Sequence, residues 1–183
     1  GFRKARGHNH RGAPERLQAE RLGNQAFKGK GKQRERGKKI IIKKSTPAEK
    51  ILQLAPPCSC DACKNGCRYG SGFLIGDDLK NIAKFKKISE KELKENFLEE
   101  KELFNTRLLR PKLITKGKPY GRCVFFDEEK GCTVHPVKPL QCRISMGCKE
   151  YGEDLSLWFM LNHQVNPNDP ESMRQYAIYL KAQ

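Results

Sequence analysis

Long apolar runs are missing from this chain of 183 residues. No stretch approaches the roughly 18 apolar residues that suggest a membrane-spanning helix, so we expect no membrane insertion. Residues 1–30 also lack the apolar segment of a secretory signal peptide. Hydrophobic residues make up 37% of the chain, and the mean hydropathy is −0.77. A compact core is therefore expected along only part of the chain.

Acidic residues are scarce in the N-terminal quarter. Residues 1–50 contain 16 Lys and Arg but only 4 Asp and Glu, whereas residues 51–183 contain 21 and 17. The net charge of +16 thus divides into +12 and +4. Charges of one sign at this density repel each other and keep a segment extended until a polyanion neutralises them. We predict a basic, flexible arm over residues 1–45 and a folded domain over residues 46–183.

Glycine interrupts the positive charges of the arm, as in the flexible stretch 28–32. Lys and Arg neutralise phosphates and release counterions, and Arg also stacks on exposed bases. We therefore predict that the arm binds RNA, favouring ribosomal RNA within a larger ribonucleoprotein. A solubility tail, an acidic protein partner and an anionic membrane are the alternatives. The predicted contact residues are Arg3, Lys4, Arg6, Arg11, Arg16, Arg21, Lys28, Lys30, Lys32, Arg34, Arg36, Lys38, Lys39, Lys43 and Lys44.

Helix-start patterns recur through residues 46–183. Ser89 and Glu92 form a capping box, for example, in which each side chain can reach the other residue's backbone N–H. Asn65-Gly66 predicts loops between Cys58 and Gly72, and residues 106–122 suggest extended chain. The predicted fold class is a small, mainly α domain with metal-stapled cysteine loops, plus the extended basic N-terminal arm. The predicted helices start near Thr46, Asp77 or Asp78, Ser89, Leu155 and Pro170.

Eight cysteines lie in two groups, Cys58, Cys60, Cys63 and Cys67, and Cys123, Cys132, Cys142 and Cys148. An even count also suits disulfides in a secreted protein. Four cysteines within ten residues, without a visible signal peptide, instead favour thiolates around a metal in a reducing compartment. We predict all eight as metal ligands and a cytoplasmic location, with an organelle as the alternative. Because the chain starts at Gly1 rather than Met, we expect a missing or processed N-terminus.

Thiol ligands alone do not identify the metal that they bind. Eight thiols suit two four-cysteine zinc sites, or one iron–sulfur cluster with thiols to spare, because soft thiolates bind both metals. Zn²⁺ is the predicted cofactor and an iron–sulfur cluster is the alternative. His135, three residues after Cys132, is predicted to support the site from outside the ligand set. The sequence shows no Ser-His-Asp type of arrangement, which favours a non-catalytic role.

The order of several short motifs resembles the CxxCxxCC (YkgJ-like) family of candidate zinc- or iron-chelating proteins. The resemblance covers roughly residues 58–145 and implies a metal-chelating fold. The family's first motif ends in adjacent cysteines, whereas here Arg68 follows Cys67, and Cys58 and Cys148 are candidate replacements. The motifs are Cys60-x2-Cys63-x3-Cys67, Gly72-Phe73-Leu74, Asp78, Ile82-Ala83, Cys123-Val124-Phe125-Phe126, Gly131-Cys132-Thr133-Val134-His135 and Lys138-Pro139-Leu140-Gln141-Cys142-Arg143.

The predicted function joins the two features of the chain. A metal-binding domain docks on RNA through its basic arm, as a structural component of a ribosome or another ribonucleoprotein. The alternative is an iron–sulfur or zinc metalloenzyme, a redox protein or a protein-modifying factor. The last of these follows from the resemblance, since some family members look like protein lysine methylation factors.

Overall fold

The structure is a computed structural model that describes residues 40–182. Within that part of the chain, the α-helices are Ala48–Leu54 (α1), Asp61–Tyr69 (α2), Asp78–Lys86 (α3), Glu90–Phe97 (α4), Leu140–Ile144 (α5), Gly152–Phe159 (α6) and Pro170–Lys181 (α7). The strands are Leu98–Leu103 (β1), Thr106–Pro111 (β2), Leu113–Ile114 (β3), Arg122–Cys123 (β4), Phe126–Asp127 (β5) and Gly131–Cys132 (β6). A 3-10 turn covers His135–Val137, and a π-helical turn over Met160–Gln164 extends α6.

Capping residues fix the starts of two helices. The Oγ atom of Ser89 accepts a hydrogen bond from the N–H of Glu92 at 3.1 Å, as the capping box predicts, and α4 follows. Asp169 caps α7 in a similar way by accepting from the N–H of Glu171 at 3.0 Å, with Pro170 in the first turn. The helices predicted to start at Ser89 and Pro170 are thus confirmed.

We predicted a set of loops for the segment Cys58–Gly72, and this prediction is wrong. Its middle forms α2, and Asn65-Gly66 lies inside that helix rather than in a turn. Asp61 in the first turn and Arg68 in the last turn complement the helix dipole. Glycine inside a helix costs about 1 kcal/mol relative to alanine, a cost that packing of α2 on β4 and β6 offsets. The helix therefore sets the directions of the cysteines that it carries.

Small antiparallel sheets accompany the helices. β1 and β2 form a hairpin that pairs Leu98 with Pro111, and its turn contains Phe104 and Asn105, both with positive φ. β3 pairs with β4, and β5 with β6. The extended chain predicted for residues 106–122 is confirmed as far as β2, β3 and β4 reach. The described domain is therefore helical with three two-stranded sheets, which corrects the expectation that loops alone carry the cysteines.

Two hydrophobic cores lie in the described domain. The first core contains Leu74, Ile82, Ala83, Leu93, Leu98, Cys123, Phe125, Phe126 and Val134. The second core contains Ile51, Ala55, Phe73, Ile144, Met146, Leu155, Trp158 and Phe159. Cys67 and Cys132 pack against the first core, whereas Cys58 and Cys63 pack against the second. Each core therefore borders a different group of thiols.

The compact unit begins at Ile40. Two side chains hold its first residues against α6 and the π-helical turn: Trp158 donates to the carbonyl of Thr46 at 2.9 Å, and Asn162 donates to that of Lys44 at 3.1 Å. The predicted boundary between residues 45 and 46 lies next to these bonds and stays a prediction. None of the described helices is long and apolar enough to cross a bilayer.

Candidate metal centre

Four cysteines converge at the N-terminal end of α2. The sulfurs of Cys58, Cys60, Cys63 and Cys148 all lie within 4.8 Å of one another. The Sγ atom of Cys148 is 3.3 Å from that of Cys63 and 3.6 Å from that of Cys58, and the thiols are free. Cys60 and Cys148 are exposed, and the other two residues are half-buried. We call these four residues the outer cluster.

The outer cluster joins segments that are distant in sequence. Cys60 is the N-cap residue of α2 and Cys63 lies in its first turn, so the CxxC spacing brings both thiols to one end of the helix. Cys148 comes from the loop after α5, 85 residues beyond Cys63. That loop lies directly on α2, because a Cβ atom added to Gly147 would sit 2.9 Å from the carbonyl oxygen of Ala62. The predicted replacement of a family ligand by Cys58 and Cys148 thus has a geometric basis.

The outer thiols differ in acidity. The pKa of Cys58 is lowered to about 7, chiefly by the backbone N–H of Cys60, which favours the thiolate. Burial raises the pKa of Cys63, and the neighbouring Cys148 adds to that effect. A metal cation that binds here must displace the protons that remain, so binding releases protons and weakens as the pH falls.

The other four cysteines form a group that we call the inner cluster: Cys67, Cys123, Cys132 and Cys142. Cys67 lies in the last turn of α2, and that helix packs on β4 and β6, which end in Cys123 and Cys132. Cys142 belongs to α5 and lies against Gly72, where an added Cβ atom would sit 2.7 Å from its sulfur. Four separate elements therefore contribute one inner thiol each.

Burial dominates the electrostatics of the inner cluster. It raises the pKa of Cys123 and of Cys142 to about 12 each, and it also raises the pKa values of Cys67 and Cys132. The outer and inner clusters therefore present the same ligand atom in different surroundings, one open to solvent and the other largely enclosed.

His135 and Lys138 lie between the clusters. Both line a cavity of about 150 Å³ whose wall also includes Cys58 from the outer cluster and Cys142 from the inner one. The Nε2 atom of His135 is 3.2 Å from the carbonyl oxygen of Cys58. This contact suits the predicted supporting role of His135, since the ring reaches the backbone of a cysteine rather than joining the four converging sulfurs.

Asp78 positions the helix that carries Cys142. Its Oδ2 atom accepts hydrogen bonds from the N–H of Ile75 at 3.0 Å and from the N–H of Leu140 at 3.2 Å. The sequence suggested Asp77 or Asp78 as the N-cap of α3, and Asp77 occupies that position, without a side-chain capping bond. The carboxylate of Asp78 instead joins the segment before α3 to the first residue of α5.

The sequence left open which of the eight cysteines lie together. Cys67 follows Cys63 closely in sequence, yet the two thiols belong to different clusters. In a helix, residues four apart share a face but lie about 6 Å apart along the axis. Once residues 61–69 are known to be helical, this distance shows that Cys63 and Cys67 lie in different clusters. The prediction of loops for this segment concealed that difference.

Most of the predicted RNA-contact residues lie outside residues 40–182. Lys43 and Lys44 are the two within the described range, and both are exposed. The remaining residues of that prediction, from Arg3 to Lys39, fall in the part of the chain that the structure does not describe.

One comparison with known proteins gives a match. The sequence model of the CxxCxxCC family, described as a candidate zinc- or iron-chelating domain, matches residues 59–158. No curated protein and no solved structure matches the chain significantly. The matched range includes seven of the eight cysteines and omits Cys58.

Proposed function

We propose that this chain, which belongs to the CxxCxxCC family of candidate zinc- or iron-chelating domains, uses zinc to fix its fold and docks on RNA through its basic N-terminal arm. The convergence of the four outer sulfurs within 4.8 Å carries the metal part of the proposal. The uneven charge of the sequence supports the RNA part.

The sulfur spacing favours a single ion over a cubane cluster. Zinc–sulfur bonds of about 2.3 Å place the sulfurs of a tetrahedral site about 3.8 Å apart. The Sγ atom of Cys148 lies 3.3 Å from that of Cys63 and 3.6 Å from that of Cys58, close to that value. In a [4Fe–4S] cluster each thiolate binds a different iron, which holds the sulfurs further apart than one ion does.

Zinc suits a closed set of four thiolates. Structural zinc sites use four protein ligands in a tetrahedron, leaving no open position for a substrate. The outer cluster provides four sulfurs, and among residues 40–182 no carboxylate or imidazole converges with them. A mononuclear iron site has similar geometry, so the identity of the metal is the first quantity to measure.

The outer ion would tie together parts of the domain that are distant in sequence. It joins the N-terminal end of α2 to the loop after α5, across sequence separations of 85 and 90 residues. Such a link restricts the unfolded chain, and structural zinc contributes on the order of 10 kcal/mol in small domains. The ion is thus expected to make the folded domain rigid.

The arm supplies the docking function in this proposal. Residues 1–50 carry a net charge of +12, and the glycines between the cations let the backbone follow a groove of RNA. Ribosomal RNA within a ribonucleoprotein is the proposed partner, and a cytoplasmic, reducing setting is the proposed location because it preserves thiolates. An acidic protein is the alternative partner, and the binding test below compares it with RNA.

Elemental analysis with a visible spectrum tests the metal. The full chain is purified without oxygen, and we expect zinc with no visible absorption band. Iron with acid-labile sulfide would contradict the zinc proposal and would favour the alternative of an iron–sulfur metalloenzyme or redox protein.

Salt-dependent RNA binding tests the arm. We expect a steep loss of affinity with rising salt, and a large loss when residues 1–44 are removed. The matched control is Lys116→Gln with Lys118→Gln, which removes two exposed cations from the folded domain and should change affinity little. Binding that survives loss of the arm, or that prefers an acidic protein over RNA, would contradict the proposal.

A further inference from the structure

We propose that the space between the outer and inner clusters is an anion site, which binds one phosphate group through Lys64, Lys130, Lys138 and Arg143. The proposal goes beyond metal binding and beyond the basic arm, because all four cations belong to the folded domain. The phosphate belongs either to a small molecule or to the end of an RNA strand. Its recognition by ammonium and guanidinium groups is the same in both cases.

The proposed site consists of two adjoining cavities, which we call the recess. Their volumes are about 150 Å³ and about 240 Å³. Cys58, His135 and Lys138 line both cavities, so the two share part of their wall. A water molecule takes up about 30 Å³ in the liquid. The recess therefore has room for a tetrahedral oxyanion together with bound water.

Cations line the recess and carboxylates do not. Lys64, Lys130 and Lys138 line the larger cavity, and Arg143 lines the smaller one together with Lys138. Among residues 40–182, no Asp or Glu belongs to either wall. A concave site whose charges have one sign focuses the electric field and concentrates the counter-ion. The recess is therefore expected to attract anions.

These cations have few ionic partners in the protein. Within the described part of the chain, Lys130, Lys138 and Arg143 form no ion pair at 4.0 Å or less. Lys64 lies 3.9 Å from Asp61, whose side chain is 95% exposed, so this pair contributes little. Lys138 and Arg143 are also half-buried, and a half-buried cation without a partner costs free energy. An oxyanion in the recess would supply that partner.

The arrangement of the ammonium groups suits a tetrahedral anion. Lys64 comes from α2, Lys130 from the turn between β5 and β6, and Lys138 from the end of the 3-10 turn. Donors from separate elements can each reach a different oxygen of a phosphate group. A carboxylate offers only two oxygens, which lie in one plane. Phosphate is therefore expected to bind more tightly than a carboxylate does.

The outer sulfurs account for only part of the positive charge. A divalent ion with four thiolates carries a net charge of −2, and four cations line the recess. The difference between +4 and −2 leaves an excess of two positive charges. A phosphate monoester carries a charge of about −1.5 to −2 at neutral pH. One phosphate group would therefore balance the charge of the recess.

Titration with inorganic phosphate tests the proposal. The full chain, isolated with its own metal, is titrated at low salt while NMR follows the imidazole resonances. His135→Gln identifies the signal of His135 among the four histidines. That signal should shift and saturate, because His135 lines both cavities. No response of His135 to phosphate, or tighter binding of acetate than of phosphate, overturns the proposal.

Variants that remove one charge locate the site. Lys138→Gln and Lys130→Gln should each weaken phosphate binding about tenfold, because each removes one charge-assisted contact. Lys130 is exposed, so Lys130→Gln tests the site even if Lys138→Gln does not fold. The matched control combines Lys94→Gln with Lys101→Gln, which removes two exposed cations outside the recess. An equal loss in the control, or unchanged affinity in both recess variants, overturns the site and leaves the cations to serve the sulfurs alone.

Two RNA strands of one sequence identify the source of the phosphate. One ends in a phosphate and the other in a hydroxyl. The arm would bind both through their backbones, so the difference between their affinities reports on the recess. A preference for the phosphorylated strand that Lys138→Gln removes assigns the phosphate to an RNA end. Equal affinities, with inorganic phosphate still bound in the recess, assign it to a small molecule. Loss of RNA binding by the arm leaves the phosphate titration unchanged, so the two proposals fail separately.

Discussion

The outer and inner clusters use the same thiol ligand in opposite environments. In the outer cluster Cys60 and Cys148 are exposed, and the ligands come from segments up to 90 residues apart. In the inner cluster Cys123 is buried, and the other three cysteines are half-buried beside the first core or beneath Gly72. Exposure favours exchange of ligands and metal with solvent, whereas enclosure slows it. The comparison therefore places an exposed and an enclosed group of thiols in a single small domain.

The helix α2 is what makes the difference possible. It carries Cys63 at its beginning and Cys67 at its end, so one helix delivers a thiol to each cluster. A change in the position of α2 must alter both clusters, while a change in one core should act first on the cluster beside it. The predictions that follow test this division, from the largest expected effect to the smallest.

Removal of metal is expected to have the largest effect. Because a structural ion contributes on the order of 10 kcal/mol, its complete chelation should abolish cooperative unfolding of the domain. Metal release is followed with a chromogenic indicator, and alkylation with mass spectrometry identifies which cysteines are freed. The exposed outer cysteines should be labelled before the enclosed inner ones, and earlier labelling of the inner cysteines would contradict the division.

Cavities in the two cores should then act on different clusters. Leu93 and Ile51 are both fully buried, in the first and second core respectively. Leu93→Ala and Ile51→Ala should each lower the free energy of unfolding by about 2–5 kcal/mol. Leu93→Ala should accelerate alkylation of the inner cysteines, and Ile51→Ala should accelerate release of the outer ion. The same release and alkylation experiment measures both effects, and the same effect from both variants would remove the link between core and cluster.

Two glycines, Gly66 inside α2 and Gly72 shortly after it, provide a smaller and more local comparison. A Cβ atom at Gly72 would meet the Cys142 sulfur at 2.7 Å and the backbone nitrogen of Cys142 at 3.0 Å, whereas one at Gly66 would have no heavy atom within 4 Å. Gly72→Ala should therefore cost about 1–3 kcal/mol through overpacking. Gly66→Ala should stabilise the domain by about 1 kcal/mol, because alanine favours the helix. Thermal unfolding of the two variants checks the opposite signs, and a neutral Gly72→Ala would show that the inner sulfur can move freely.

The sequence alone predicts those parts of this fold that local chemistry determines. Ser89 and Glu92 predicted the start of α4, and the arrangement of cysteines identified the metal-binding family. The first feature depends on residues three or four apart and the second on the order of motifs. Short spacings and motif order can both be read from a sequence without a structure.

The parts that failed depend on packing at long range. Asn65-Gly66 usually marks a turn, but α2 forms because its cysteine face meets β4, β6 and the loop with Cys148. A residue 85 positions away thus contacts this glycine-containing helix, which local sequence signals do not reveal. For the same reason the division of ligands between Cys63 and Cys67 could not be read before the helix was known.

Asp78 gives the finest test, because it acts through position rather than through a ligand. Burial raises the pKa of its carboxyl, so its ionised form is less favoured in the folded state than in the unfolded one. The stability linked to Asp78 is then fully present below its unfolded pKa of about 4 and is lost as the pH rises through the folded value. Asn cannot ionise, but its side-chain oxygen can still accept from Ile75 and Leu140.

The stability of Asp78→Asn relative to wild type should therefore improve as the pH rises above about 4 and then stay constant. Thermal unfolding of both chains across this pH range measures the difference in their stability. Because both chains carry the same cysteines, the effect of cysteine titration cancels in that difference. Asp78→Ala is the matched control, since it cannot ionise either but leaves two N–H groups without their acceptor, so at every pH it should be about 1–3 kcal/mol less stable than Asp78→Asn. If Asn and Ala behave alike, the oxygen of residue 78 does not hold α5, and the position of Cys142 depends on Gly72 alone.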